Sequence, residues 1–209
     1  CTSCHDDVNP ITGENHEGGA RDEAACVFCH EAEGDEFDAS VAGAHVIQRH
    51  SQQVAGVNLE IVGVGATPGQ PISVTFRVTN NAGETIAPAG MDYLAVTVAR
   101  PASDYVMRTT ETIFRTPSES PPPVTEAAAG AFHYQTEFVL PEEVAGVTYA
   151  LGLEGYVMEE IDGVEEPVRI AGFNPVTYFH PGEGVAAPRR QVVDQDLCNT
   201  CLLYTSDAA

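Results

Sequence analysis

The chain has 209 residues, with 31 acidic side chains against nine arginines and no lysine, for a formal net charge of -22. That field repels nucleic acid and anionic membrane surfaces and favours cationic partners. A hydrophobic content of 43% without a long apolar run excludes a transmembrane helix.

In chain order, three zones stand out. Residues 1–50 hold four of the six cysteines and five of the seven histidines, among many Gly, Asp and Glu residues. Within them "EAEGDEFDAS" reads as an acidic loop and "VAGAHVIQRH" as a short helical turn. This zone has too few aliphatic residues for its own core, so a non-protein group is expected to supply the apolar mass. Because residue 1 is already part of a motif, with no initiator Met or leader, the chain is expected to be an internal piece of a longer protein.

Residues 51–187 read as β. "VNLEIVGVGA" alternates Val57, Leu59 and Ile61 with polar or small neighbours, and "PISVTFRVTNNAG" alternates Ile72, Val74, Phe76 and Val78 up to an Asn-Asn-Ala-Gly turn. "MDYLAVTVARP", "AFHYQTEFVLP", "GVTYALGLEGYVMEE" and "DGVEEPVRIAG" continue the pattern, the last with a turn at Asp162-Gly163. "TPSESPPPVTEAAAG" reads as a surface loop. Strands separated by Gly, Pro and Asn clusters predict a mainly β fold, an antiparallel sandwich or split barrel. Residues 188–201 begin another cysteine-bearing region like the first.

The chemistry lies in the cysteines. They form three Cys-x-x-Cys pairs, Cys1–Cys4, Cys26–Cys29 and Cys198–Cys201, and the first two are followed at once by His5 and His30. Cys-x-x-Cys-His is the attachment sequence of c-type haem: the thiols bond to the porphyrin edge and the adjacent imidazole becomes the proximal iron ligand. Two Cys-x-x-Cys pairs also suit a zinc ribbon, but zinc does not require a His directly after each pair. A thioredoxin-like redox pair would need a surrounding βαβ pattern, and none is present.

A second axial ligand comes from Met or His. Met91, Met107 and Met158 all fall in the β zone, whereas His16, His45 and His50 lie near the attachment sites. The expectation is bis-histidine ligation, a low potential and no open iron position, hence electron transfer. His45 and His50 are five residues apart, so one of them is expected to ligate, and His45 is preferred. His133 and His180 read as ordinary surface or strand-edge histidines.

The segments "HEGGARDEAACVFCH", "GAHVIQRHSQQVAGVNLEIVGVGATPGQPISVTFRVTNNAG", "LAVTVARPASDY", "TYALGLEGYVMEE" and "RRQVVDQDLCNTC" resemble the decahaem outer-membrane cytochromes of the OmcA/MtrC family, over nearly the whole chain up to Cys201. The resemblance implies β domains alternating with irregular, haem-packed multihaem segments. Residues 1–50 would be the end of one multihaem domain, 51–187 a β domain and 188–201 the start of the next. It also implies haem c as cofactor and a place on the extracellular side of the outer membrane, or in the periplasm. The implied partners are other cytochromes, a porin–cytochrome complex, and mineral, soluble-metal or flavin acceptors, with no nucleic acid. Family members carry a cysteine pair inside the β domain, and none is present here. The pattern calls for His after Cys201, where this chain has Leu202; "LLYTSDAA" resembles a translated sequencing adapter, so 202–209 are expected to be non-native. Two rival functions remain open: a zinc-holding β-sandwich adhesion module, and a multihaem reductase with one open iron.

Overall fold

The computed structural model describes residues 7–190, apart from Glu119, Ala145 and Glu183. Cys1, Cys4, His5, Cys198 and Cys201, and the proposed tail, lie outside the described residues.

Among the described residues, nine strands form two antiparallel sheets. The first runs β1 (Asn58–Gly65), β2 (Pro71–Thr79), β6 (Phe132–Val139), β5 (Val124–Glu126). The second runs β4 (Met107–Arg115), β3 (Tyr93–Arg100), β7 (Tyr149–Glu159), β8 (Val168–Ala171), with β9 (Val176–Phe179) also paired to β7. The inner positions of β2 follow the period-two pattern of the sequence: Ile72, Val74, Phe76 and Val78 are all at 0% exposure. They meet Leu94, Val96 and Val98 of β3 and Tyr149, Leu151 and Leu153 of β7 in one shared core. Burying each such side chain stabilises the fold by roughly 1.5–3 kcal/mol, which is why the two sheets pack face to face.

Two polar residues make ties that the strand ladders alone would not, one within the first sheet and one between the sheets. The register of β2 on β6 shifts between Pro71 and Ser73. There the buried Thr136 hydroxyl accepts from Ile72 N (2.9 Å) and donates to the Phe138 carbonyl (2.8 Å). Glu111, on β4 of the second sheet, accepts from the Tyr134 hydroxyl and from the Glu137 and Phe138 amides of β6 in the first. Burial, followed by this carboxylate, pushes the Tyr134 phenol up from its ordinary pKa.

Three strands differ from the sequence expectation. β4 has no alternating apolar signal, because among its residues only Ile113 is buried, and Glu111 and threonines hold neighbouring positions. β5 lies inside the predicted surface loop and pairs with β6 over three residues. β9 is four residues long, and its place is decided by pairing with β7.

The Cys/His-rich segment docks on the β7–β8 end of the sandwich. A small second core joins Phe37 to Val54, Ile161 and Ile170. Gln53 and Asp162 exchange two hydrogen bonds, and the Glu159 carboxylate accepts from the amides of Ala55 (2.8 Å) and Gly56 (3.3 Å). At the other end of the β zone, Ala187 N donates to Thr148 Oγ1 and Arg189 covers the Tyr105 ring at 4.6 Å.

Candidate functional site

The predicted helical turn in "VAGAHVIQRH" is α1 (Val41–Ala44), capped by the Ser40 hydroxyl, which accepts from Gly43 N. A 3-10 turn at Gln48–His50 follows it. Upstream, Asp22 caps a 3-10 helix, Glu23–Phe28, by accepting from Ala24 N. Its last turn closes with Cys29 N and His30 N both donating to the Cys26 carbonyl. Cys26, Cys29 and His30, at i, i+3 and i+4, thus share one face of a helical turn. Both thiols are free, Cys26 half-buried and Cys29 exposed. The segment leaves several large apolar side chains uncovered: Ile11, Val27 and Phe28 are 64%, 66% and 82% exposed.

The histidines share one arrangement. His16 Nδ1 lies 2.7 Å from the Gly19 carbonyl, His30 Nδ1 2.9 Å from the Ala39 carbonyl, and His45 Nδ1 2.6 Å from the Val41 carbonyl. A carbonyl only accepts, so each Nδ1 carries the proton and donates, which leaves the lone pair on Nε2. This is the arrangement of metal-binding histidines, whose second ring nitrogen is held by a backbone or carboxylate acceptor. The backbone folds locally to provide it: the turn from Gly13 to Gly19 has Gly13 at φ 80° and Gly19 at φ 68°, a region glycine enters without strain.

The His16 and His30 ring centroids are 6.4 Å apart, with planes inclined at 47°. Two imidazoles on opposite sides of one metal ion, each nitrogen about 2 Å from it, have ring centres roughly 6 Å apart. The ring spacing and the Nδ1 bonds are those of imidazoles able to share one metal ion, with Cys26 and Cys29 in the same segment. His45 is at the C-terminal end of α1, and His50 is exposed in the next turn. His133 is on β6 and His180 directly after β9, both in the sandwich. Among the described residues no group of three or more His, Cys, Asp or Glu side chains converges as a metal site.

The acidic loop between His30 and α1 is tightly built. Asp38 accepts from the amides of Asp35 and Ser40, while Glu36 accepts from the Ser51 hydroxyl and Gln52 N. Hydrogen bonds from Ser51 and Gln52 hold the Glu36 carboxyl below its ordinary pKa, and those from Ser40 do the same for Asp38. A Cβ on Gly43 would fall on the Asp35 carbonyl and an Asp38 carboxylate oxygen, so only glycine admits this approach. The carbonyls of Gly19, Ala39 and Val41 and the Glu36 clamp have no signal in residue type or spacing, because every residue carries a carbonyl.

Fold and site together define a class: an antiparallel two-sheet β-sandwich with a histidine-rich Cys-x-x-Cys-His segment docked on one end. Among solved structures, MtrC from Shewanella baltica OS185 shares this fold, with a TM-score of 0.67 and 12% identity over 96% of this chain and 35% of that chain. The outer membrane decaheme cytochrome OmcA is a looser likeness, with a TM-score of 0.41 and 14% identity over 71% of this chain and 26% of that one. The chain thus spans about a third of the length of MtrC. No family model matches the sequence, and no curated protein matches it. Among the described residues no helix is long and apolar enough to cross a membrane.

Proposed function

We propose that the chain is part of a multihaem c-type cytochrome that carries electrons to extracellular acceptors. The observation behind this reading is the His16–His30 pair: two imidazoles at metal-spanning distance, each with Nδ1 held by a carbonyl, beside the Cys26–Cys29 thiols. In this reading Cys26 and Cys29 would hold a haem covalently, and His30 and His16 would bind its iron. By the same motif Cys1, Cys4 and His5 hold a second haem, with His45 preferred over His50 as a distal ligand. Cys198 and Cys201 belong to a third site whose His is lost at position 202.

Haem c, when bound, supplies a one-electron Fe(III)/Fe(II) couple. The chain's residues set its terms. Two imidazole donors favour Fe(III) more than a Met/His pair does, and so hold the potential low. Two histidines on the iron would leave it no place for substrate, which favours electron transfer over reductase chemistry. Val27, Phe28 and Ile11, largely exposed on this segment, would offer a porphyrin apolar surface to pack on.

The proposed organisation is a multihaem segment at 1–50, a β domain at 51–187, the start of another multihaem segment at 188–201, and a non-native 202–209. The acceptors proposed are metal oxides, soluble metal complexes, flavins or partner cytochromes, reached from the cell surface. The test is to express the chain in a host that matures c-type cytochromes, weigh it after acid denaturation, and record its visible spectrum. Covalent haem mass and sharp low-spin Soret and α bands are expected. A colourless protein of unmodified mass, as a zinc module would be, overturns the reading.

A further inference from the structure

We infer that Phe37 and Glu36, through the loop they anchor on the β7–β8 end of the sandwich, position the His30 imidazole, so that the β domain tunes the potential of the neighbouring haem. This rests on the haem reading above and adds to it a role for residues that contact no cofactor.

The path is short and continuous. His30 Nδ1 donates to the Ala39 carbonyl, so that carbonyl sets the plane and tautomer of the ring. Ala39 lies between Asp38 and Ser40, which are locked together by the bond from Ser40 N to Asp38 Oδ1. Two residues upstream, Phe37 N donates to the Gly43 carbonyl, and its side chain packs with Val54, Ile161 and Ile170. Glu36 is pinned to the linker by Ser51 and Gln52.

The backbone of Phe37 carries a second, independent sign. Its φ is 67°, a left-handed conformation that is strained for a bulky side chain and persists only where its surroundings impose it. The predicted Asp162-Gly163 turn passes close beside it. A Cβ on Gly163, itself at φ 87°, would stand 3.2 Å from the Phe37 Cβ. The sandwich thus lies against Phe37, two residues before the Ala39 carbonyl.

A held Nδ1–H···O=C bond raises the basicity of the imidazole and strengthens its donation to iron, favouring Fe(III). Releasing the loop should therefore raise the potential. The experiment uses the haem-loaded full chain as wild type, Phe37→Ala, Phe37→Leu and Glu36→Gln, with mass spectrometry first to confirm equal haem content. In Phe37→Ala one haem should shift its reduced-to-oxidised ratio up about tenfold at fixed applied potential, about 59 mV for one electron. The low-temperature EPR signal of that ferric haem should change, and amide exchange across 31–45 should quicken. Phe37→Leu should restore most of the wild-type values, and Glu36→Gln should shift them in the same direction by less. Unchanged potential and EPR in Phe37→Ala, with or without faster exchange, would overturn the inference while leaving the haem reading intact. Absence of haem from the wild-type chain would overturn both.

Discussion

The two ends of the molecule solve packing in opposite ways. The sandwich buries what is apolar: Phe76, Leu94, Tyr149, Leu151 and Leu153 are all at 0% exposure in a core shared by both sheets. The Cys/His-rich segment leaves Val27 and Phe28 mostly in solvent and is held by turns, caps and histidine–carbonyl bonds. Ordered imidazoles beside uncovered apolar groups are what the proposed haem would require. The lesson is that a region's missing core can be as informative as a motif.

Four changes would break or sharpen this contrast, from the largest effect to the smallest. Removing both thiols, Cys26→Ala with Cys29→Ala, should abolish covalent haem at that site while leaving the sandwich folded. Intact mass and far-UV circular dichroism would show the two regions responding separately. Conversely, Phe76→Ala opens a cavity in the shared core and should cost about 3–5 kcal/mol, read as a lower urea midpoint at unchanged slope.

Glu111→Ala should leave Tyr134 and two β6 amides without their acceptor, for a loss of about 1–3 kcal/mol and faster exchange at Glu137 and Phe138. The smallest effect concerns the joint between the regions. Glu36 has its pKa lowered in the folded chain from an ordinary 4.5. Its contribution to docking is therefore fully present above 4.5 and is lost as pH falls through the lower folded value. Amide exchange of residues 31–56 should rise on acidification below that point, and Glu36→Gln should flatten the rise.

Legibility followed local pattern. β2, β3 and β7 showed themselves because every second side chain is apolar, and the Asp162-Gly163 turn because glycine accepts φ 87° there. β4 did not, since its residues include Glu111, whose partners lie on β6 some 26 residues along the chain. At the site, the motif pointed to Cys26, Cys29, His30 and the surplus histidines. It did not show that His16 comes close to His30, or that Ala39 holds the ring.

From its residues alone, this chain declares alternating strands, a thiol–imidazole spacing and an acidic charge, because each depends on neighbours within a few positions. Which strands share a sheet, which imidazole comes close to which, and that a turn at residue 163 lies beside Phe37 are set only by the packed fold. Those relations join residues distant in sequence, and burial of the common core is what brings them together.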